Sequence, residues 1–262
     1  MMYLREELRR AFLSKAVLIT MLASTLLVFI GMFGTFKWIT GGGISIMYTF
    51  LQGYNSGTAS FLAITFPIIA CIPFASSYLT DIQTGFNNYV QLRMKKSQYM
   101  ITRLAVNALV GGVAIAIGPF ISFSFLLLIK LLFGVPMLKV GERLESVMFF
   151  HSIGVSSPIM MILIIIGILF CCGTVFATLG LGISTIIQNK YIAIFVPFIY
   201  LIISATVLAN IHPSLNAMAL YDIDLLSGSI GQTFLYGTVL VLSGIAIFLI
   251  GGAARFEEKF KE

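Results

Sequence analysis

The chain has 262 residues, of which 59% are apolar and only 10% charged, with a mean hydropathy of +1.03. Soluble domains carry about a quarter charged residues, so an ordinary soluble enzyme, a disordered chain and a small disulfide scaffold are excluded. The net charge of +6 does not mark a nucleic-acid binder, because the Lys and Arg residues cluster beside apolar runs, where they suit an anionic membrane surface. The composition is that of an all-α integral membrane protein.

In chain order, the first element is short and two-sided. Leu4, Leu8 and Phe12 recur at steps of four with Leu13 beside them, while Arg5, Glu6, Arg9 and Arg10 take the other face. This pattern predicts an amphipathic helix over residues 2–15 lying at the membrane surface. Six uncharged stretches follow, giving spans at about 16–36, 59–79, 104–129, 157–181, 191–209 and 230–253, since about 20 apolar residues cross a bilayer. The first apolar run is too long for a signal core and lacks a small-residue cleavage site, so it is expected to stay as a span. The uncharged run 38–80 is long enough for two spans, but its first half holds Gly41-Gly42-Gly43, Gln52, Asn55, Ser56 and Gly57. That half reads as polar and turn-rich, leaving one span there. Pro67 and Pro73 interrupt the second span, Gly118-Pro119 the third and Pro197 the fifth, each removing a helix hydrogen bond. Ser157-Pro158 is a good helix entry. Gly237, Gly244 and Gly251 repeat every seven residues and allow another helix to approach closely; packing within the same chain is the favoured reading.

Six spans place both termini on one side. With that side inward, inner segments hold twelve Lys and Arg residues and outer segments only Lys37, Lys130, Lys139 and Arg143, so both termini are expected in the cytoplasm. Two cytoplasmic segments then have the make-up of contact surfaces. One is the helix 2–15. The other, 81–103, carries Asp81, Gly85, Phe86, Tyr89, Val90 and Leu92 ahead of the cationic cluster Arg93, Lys95 and Lys96. It reads as a turn followed by a short helix with an aromatic stripe.

The chemistry-bearing motifs are few. There is no G-x-x-x-x-G-K-[ST] loop, no Gly-Lys dipeptide and no H-E-x-x-H, so nothing here holds ATP in the P-loop manner or a metalloprotease zinc. Cys71, Cys171 and Cys172 lie in apolar runs and read as small hydrophobes rather than metal ligands. His151 and His212 fall in outer segments; pairing either with a serine would make an intramembrane hydrolase, but no nucleophile motif accompanies them. The spans themselves carry no deep Asp, Glu, Lys or Arg, whereas ion-coupled transporters place ionisable groups inside the bundle. Such a chain is passive or driven by a partner.

The layout resembles an ABC type-2 permease. The pieces are the amphipathic basic start (Leu4 to Phe12), Asp81 and Gly85 followed by the basic cluster at Arg93 to Lys96, and the Pro- and Asn-containing outer segment 210–229. Asp81 stands where that family more often has Glu. The resemblance implies a bacterial plasma-membrane transporter with a second permease chain and two cytoplasmic ATPase subunits. ATP and Mg would sit on those subunits, and this chain would bind no cofactor and hold no catalytic residue. It implies an interface helix bearing Leu4, Arg5, Glu6, Leu8, Arg9 and Phe12. It also implies an ATPase-coupling loop bearing Asp81, Gly85, Phe86, Tyr89, Arg93, Lys95 and Lys96. The segment 210–229 would form outer re-entrant helices, and the first and fifth spans the seam between permeases. A pathway lined by Phe, Met, Ser and Thr favours export of apolar or amphipathic cargo, such as a hydrophobic peptide, a drug or a lipid-linked molecule. The competing reading is a partner-free channel or a peptide-binding immunity-type membrane protein.

The charge distribution makes a topological prediction. In a background free of native cysteines, Ser56→Cys and Ser227→Cys are expected to react with an impermeant thiol reagent on intact cells. Ser97→Cys is expected to react only after permeabilisation. The reverse pattern would overturn the orientation.

Overall fold

A computed structural model describes residues 2–41, 43–55, 61–86, 95–139, 151–222 and 230–258. The described residues are helical, with no strand among them. They form α1 (Met2–Phe12), α2 (Lys15–Thr40), α3 (Ile46–Asn55), α4 (Phe61–Cys71), α5 (Ser77–Gln83), α6 (Lys96–Phe133), α7 (His151–Ser156), α8 (Pro158–Ile186), α9 (Lys190–Ile203) and α10 (Ile230–Glu258). Five segments are long and apolar enough to cross a membrane: Lys15–Ile39, Lys96–Phe133, Pro158–Ile186, Lys190–Ile211 and Gly231–Gly252. That is the make-up of a multi-pass membrane protein.

The sixth expected span, 59–79, is not one long helix. Its apolar part is α4, which carries Pro67 internally and ends at Cys71. A turn through Pro73 then leads to the separate short helix α5. Proline cannot donate to the helix ladder and crowds the preceding turn, and here the second of the two prolines falls in the break. Pro119, by contrast, lies inside α6 without ending it.

The stretch read as polar and turn-rich contains a helix. α3 buries Ile46, Met47, Phe50, Leu51 and Tyr54 and packs against α2 and α6. Its first backbone N–H groups donate to distant carbonyls, Ile46 to Pro136 and Met47 to Met137, both at 3.1 Å. A helix start needs such partners, and these come from the segment after α6.

The core lies where α3, α4, α6 and α8 meet. Phe66 of α4 packs edge-on to Phe176 of α8 at 4.9 Å and stacks on Tyr221 at 4.7 Å between centroids. Asn107 of α6 donates to the Ala177 carbonyl of α8 at 2.7 Å. The seven-residue glycine repeat is used within the chain. A Cβ on Gly244 would stand 2.9 Å from the Thr178 carbonyl carbon, and one on Gly182 would stand 2.6 Å from the Gly244 carbonyl oxygen. α8 and α10 therefore touch backbone to backbone, as small residues permit in membrane bundles.

After α9 the helix widens into a π turn, Ser204–Leu208, and ends at Ile211. The chain then folds back through two 3₁₀ turns, Pro213–Leu215 and Ala217–Leu220. Ser204 Oγ accepts from the Ala217 N–H at 3.1 Å, and the Tyr221 hydroxyl donates to the Tyr54 carbonyl at 3.0 Å. Part of the expected re-entrant segment thus consists of short helical turns held on the bundle; residues 223–229 lie outside the described residues.

The glycine contact has a measurable consequence. Gly244→Ala is expected to destabilise the bundle by about 1–3 kcal/mol, the usual penalty for overpacking. Gly167→Ala, where a Cβ meets nothing within 4 Å, is expected not to destabilise it. Thermal unfolding of the two variants in the same lipid nanodisc separates them, and equal unfolding temperatures would refute the backbone contact.

Candidate functional site

The charged end of the bundle is built by α1, α5 and the first two turns of α6. The uncharged stretch 104–129 spans about 39 Å at about 1.5 Å per residue, close to the full thickness of a bilayer with its headgroups. Arg103 therefore stands at the edge of the apolar layer, two turns inside a helix that already began at Lys96. The segment 81–103, expected as a cytoplasmic loop, is helix at both described ends, and the expected boundary charge is interior to α6. Arg103 is 0% exposed.

Four side chains form a closed ring of alternating charge. Arg103 pairs with Asp81 of α5 and with Glu7 of α1, the latter at 3.3 Å. Arg10 of α1 closes the ring, 3.6 Å from Glu7 and 3.5 Å from Asp81. The Tyr99 hydroxyl donates to Asp81 Oδ2 at 2.8 Å. The Arg103 guanidinium also lies over Phe74 and Tyr99, 5.1 and 5.3 Å from their ring centroids. Each charge thus has two opposite neighbours, which is what burial of ions requires. Burial also pushes the nearby Tyr3 phenol up to about 12, so it stays neutral.

The ring redirects the expected interface helix. Its inward centre is the row Tyr3, Glu7 and Ala11, with Glu7 only 3% exposed, whereas Leu4 is 38% exposed. Leu8 and Phe12 pack partly buried against Ala11, Val17, Phe74, Val106 and Val110. Arg5, Glu6 and Arg9 face outward. The apolar row expected to lie on the membrane is thus partly occupied by the chain's own bundle.

Among the coupling-loop residues, Asp81 is interior and has no outward face. Gly85 ends α5 with φ +72°, a left-handed conformation that glycine adopts without penalty. Phe86 is partly exposed beneath the Arg10 guanidinium, 5.3 Å from ring centroid to Cζ. Lys95 is exposed at the start of α6, and Lys96 is its first residue. Tyr89 and Arg93 lie outside the described residues. The structure therefore brings Asp81, Gly85 and Phe86 against α1. Glu7, Arg10, Tyr99 and Arg103, which join them there, were not singled out as site residues. The one available signal was the row Tyr3-Glu7-Ala11 beside the leucine row, whose small final residue permits close approach.

A second feature is an apolar groove of about 540 Å³ between α8, the turn Ala217–Leu220 and α10, lined by residues including Ile168, Cys171, Val175, Leu220, Phe234 and Val241. The hydroxyls of Thr174 and Thr238 on its wall donate to carbonyls of their own helices at 2.7 and 2.9 Å. Cys171 is exposed there, unlike buried Cys71 and Cys172. His212 accepts at Nδ1 from the Ser214 N–H at 3.3 Å, with Ser214 Oγ 2.5 Å away. That contact caps the 3₁₀ turn that follows.

Comparison of the chain with family models, with curated proteins and with solved structures found no match.

Arg103→Gln removes the buried cation shared by Glu7 and Asp81 and leaves them only the half-exposed Arg10. A loss of about 3–5 kcal/mol is expected, measured by unfolding in nanodiscs. Arg5→Gln and Arg9→Gln, on the outward face, are expected to leave stability unchanged; a similar loss in all three would dissolve the distinction between ring and surface.

Proposed function

We propose that this chain is the membrane permease subunit of an ATP-driven ABC exporter, working with a second permease chain and two cytoplasmic ATPase subunits that hold ATP and Mg. The observation that carries the reading is the junction of α1, α5 and α6. While α1 is docked, a push on its exposed rim or on Phe86 reaches the base of a membrane helix through the charge ring. An element that takes force from outside and delivers it to a span suits a chain with no energy-supplying motif of its own.

Glu7 and Asp81 are taken up inside the ring, so the exposed rim of the junction is dominated by cations, Arg5, Arg9 and Lys95. In this reading the rim, with Arg93 and Lys96, meets acidic surface on the ATPase. The role first given to Asp81 changes with it: Asp81 holds the junction together, and its neighbours make the contact. The groove supports an apolar or amphipathic cargo over a small ion, because its lining is mostly hydrocarbon and holds no charged residue. The outward apolar row of α9, Ile192, Phe195, Ile199 and Ile202, is available for a second permease chain.

The test is partnership. Purification of the tagged chain from its native membrane is expected to bring down an ABC ATPase, and apolar cargo is expected to stimulate ATP hydrolysis by the complex. The combined variant Arg93→Glu, Lys95→Glu and Lys96→Glu is expected to insert normally but to lose most of that association, more so as salt screens the remaining contacts. A chain that transports alone, with no ATPase bound, would defeat the proposal.

A further inference from the structure

A closed ring of four alternating charges can be cut into two neutral halves, and here one such cut follows the boundary of a single helix. Glu7 and Arg10 both belong to α1, three residues apart, and already pair with each other at 3.6 Å. Asp81 of α5 and Arg103 of α6 make the other pair. Of the other close partners of that second pair, the Tyr99 hydroxyl on Asp81 and the Phe74 and Tyr99 rings beside the guanidinium lie off α1; what α1 adds besides its own charges is the neutral Tyr3 phenol near Arg103.

We propose that α1 is a detachable latch: it leaves the bundle as a unit, carrying its own ion pair and leaving a complete pair behind. Removing one partner from a buried ion pair is severely destabilising because the other charge is orphaned. Withdrawal of α1 orphans none. It also gives Arg103 and Asp81 access to water, which lowers the desolvation cost of keeping them charged.

Two further observations fit the same motion. The joint between α1 and α2 is Leu13 and Ser14, where Ser14 takes an extended conformation (φ −70°, ψ 142°) and caps α2 by accepting from the Val17 N–H at 3.3 Å. The cap stays with α2, so α1 can swing about this residue while α2 keeps its start. The apolar hold is also modest. Ala11 is fully buried on α1; Tyr3, which packs beside Tyr99, and Leu8 and Phe12 are only partly buried, and Leu4 faces out. Once undocked, the row Leu4, Leu8 and Phe12 with Arg5 and Arg9 beside it has the character of a helix resting on anionic lipid.

The inference stands on the ring and the joint alone and holds whether or not the chain transports. Its test is hydrogen exchange and thermal unfolding of the full chain in nanodiscs containing anionic lipid. In the unmodified protein, the amides of α1 are expected to exchange through a local opening with little denaturant dependence, separate from the opening of α6. In Glu7→Gln/Arg10→Gln, which removes the neutral half on α1, exchange in α1 is expected to rise about tenfold or more, with the unfolding temperature of the spans unchanged. In Asp81→Asn, which breaks the half that stays, that temperature is expected to fall. If the double variant melts as low as Asp81→Asn or fails to fold, or if α1 of the unmodified protein opens only together with α6, the ring is a rivet and the latch is refuted.

Discussion

A guanidinium stranded at the edge of the apolar layer sets the arrangement of everything around it. Arg103 ends a long uncharged stretch of α6 and is covered on every side. An ion in that position costs several kcal/mol to desolvate, roughly, and is tolerated only where opposite charges stand against it, as Glu7 and Asp81 do here. Those partners come from two other elements. α1 must be helical to bring Glu7 and Arg10 to one face. α5 must end soon after Asp81 to let the chain return as α6, and Gly85 at φ +72° makes that ending. The two aromatic rings beside Arg103 complete its surroundings where no further carboxylate is at hand.

The rest of the bundle is held by different forces. In lipid the helices gain little from leaving an already apolar solvent, so close packing and interhelical hydrogen bonds must hold them. α8 is central in that sense. It meets α10 through Gly182 and Gly244, α6 through Asn107 and α4 through Phe176 against Phe66. α9 lies at the margin and keeps most of its apolar side chains outward. The charged end is therefore electrostatically specified, while the membrane part is specified by steric fit. The two meet along α6, whose length lets one helix serve both.

At the opposite end the chain after the π turn is pinned by hydrogen bonds to backbone and by aromatic stacking. Tyr221 touches Tyr54, Phe66 and the Tyr54 carbonyl together, and Asn55 donates to Asp222 at 2.5 Å. These contacts tie the 3₁₀ turns to α3, so a helix that looked like a polar linker in the sequence becomes the support for the fold-back segment. A π turn is a common device where a helix must change direction near a functional region.

The amino-acid sequence by itself determined the class of molecule, because the cost of charge in hydrocarbon is local and additive and charge-free runs can be read directly. It also marked the helix entry at Pro158, a short-range steric effect, and Pro73 as an interruption, although the span was expected to run through it. What only the tertiary structure decided is which charges are interior. Asp81 in sequence is one more residue after a span, and Glu7 one more charge on an amphipathic helix. Their meeting with Arg103 depends on chain segments far apart, which no periodicity encodes. The helix at α3 was hidden in part for the same reason: its first two N–H groups are satisfied by carbonyls of Pro136 and Met137, some ninety residues away, while the local cap, Ser45 accepting from the Tyr48 N–H at 3.2 Å, sits close behind three glycines that read as a turn.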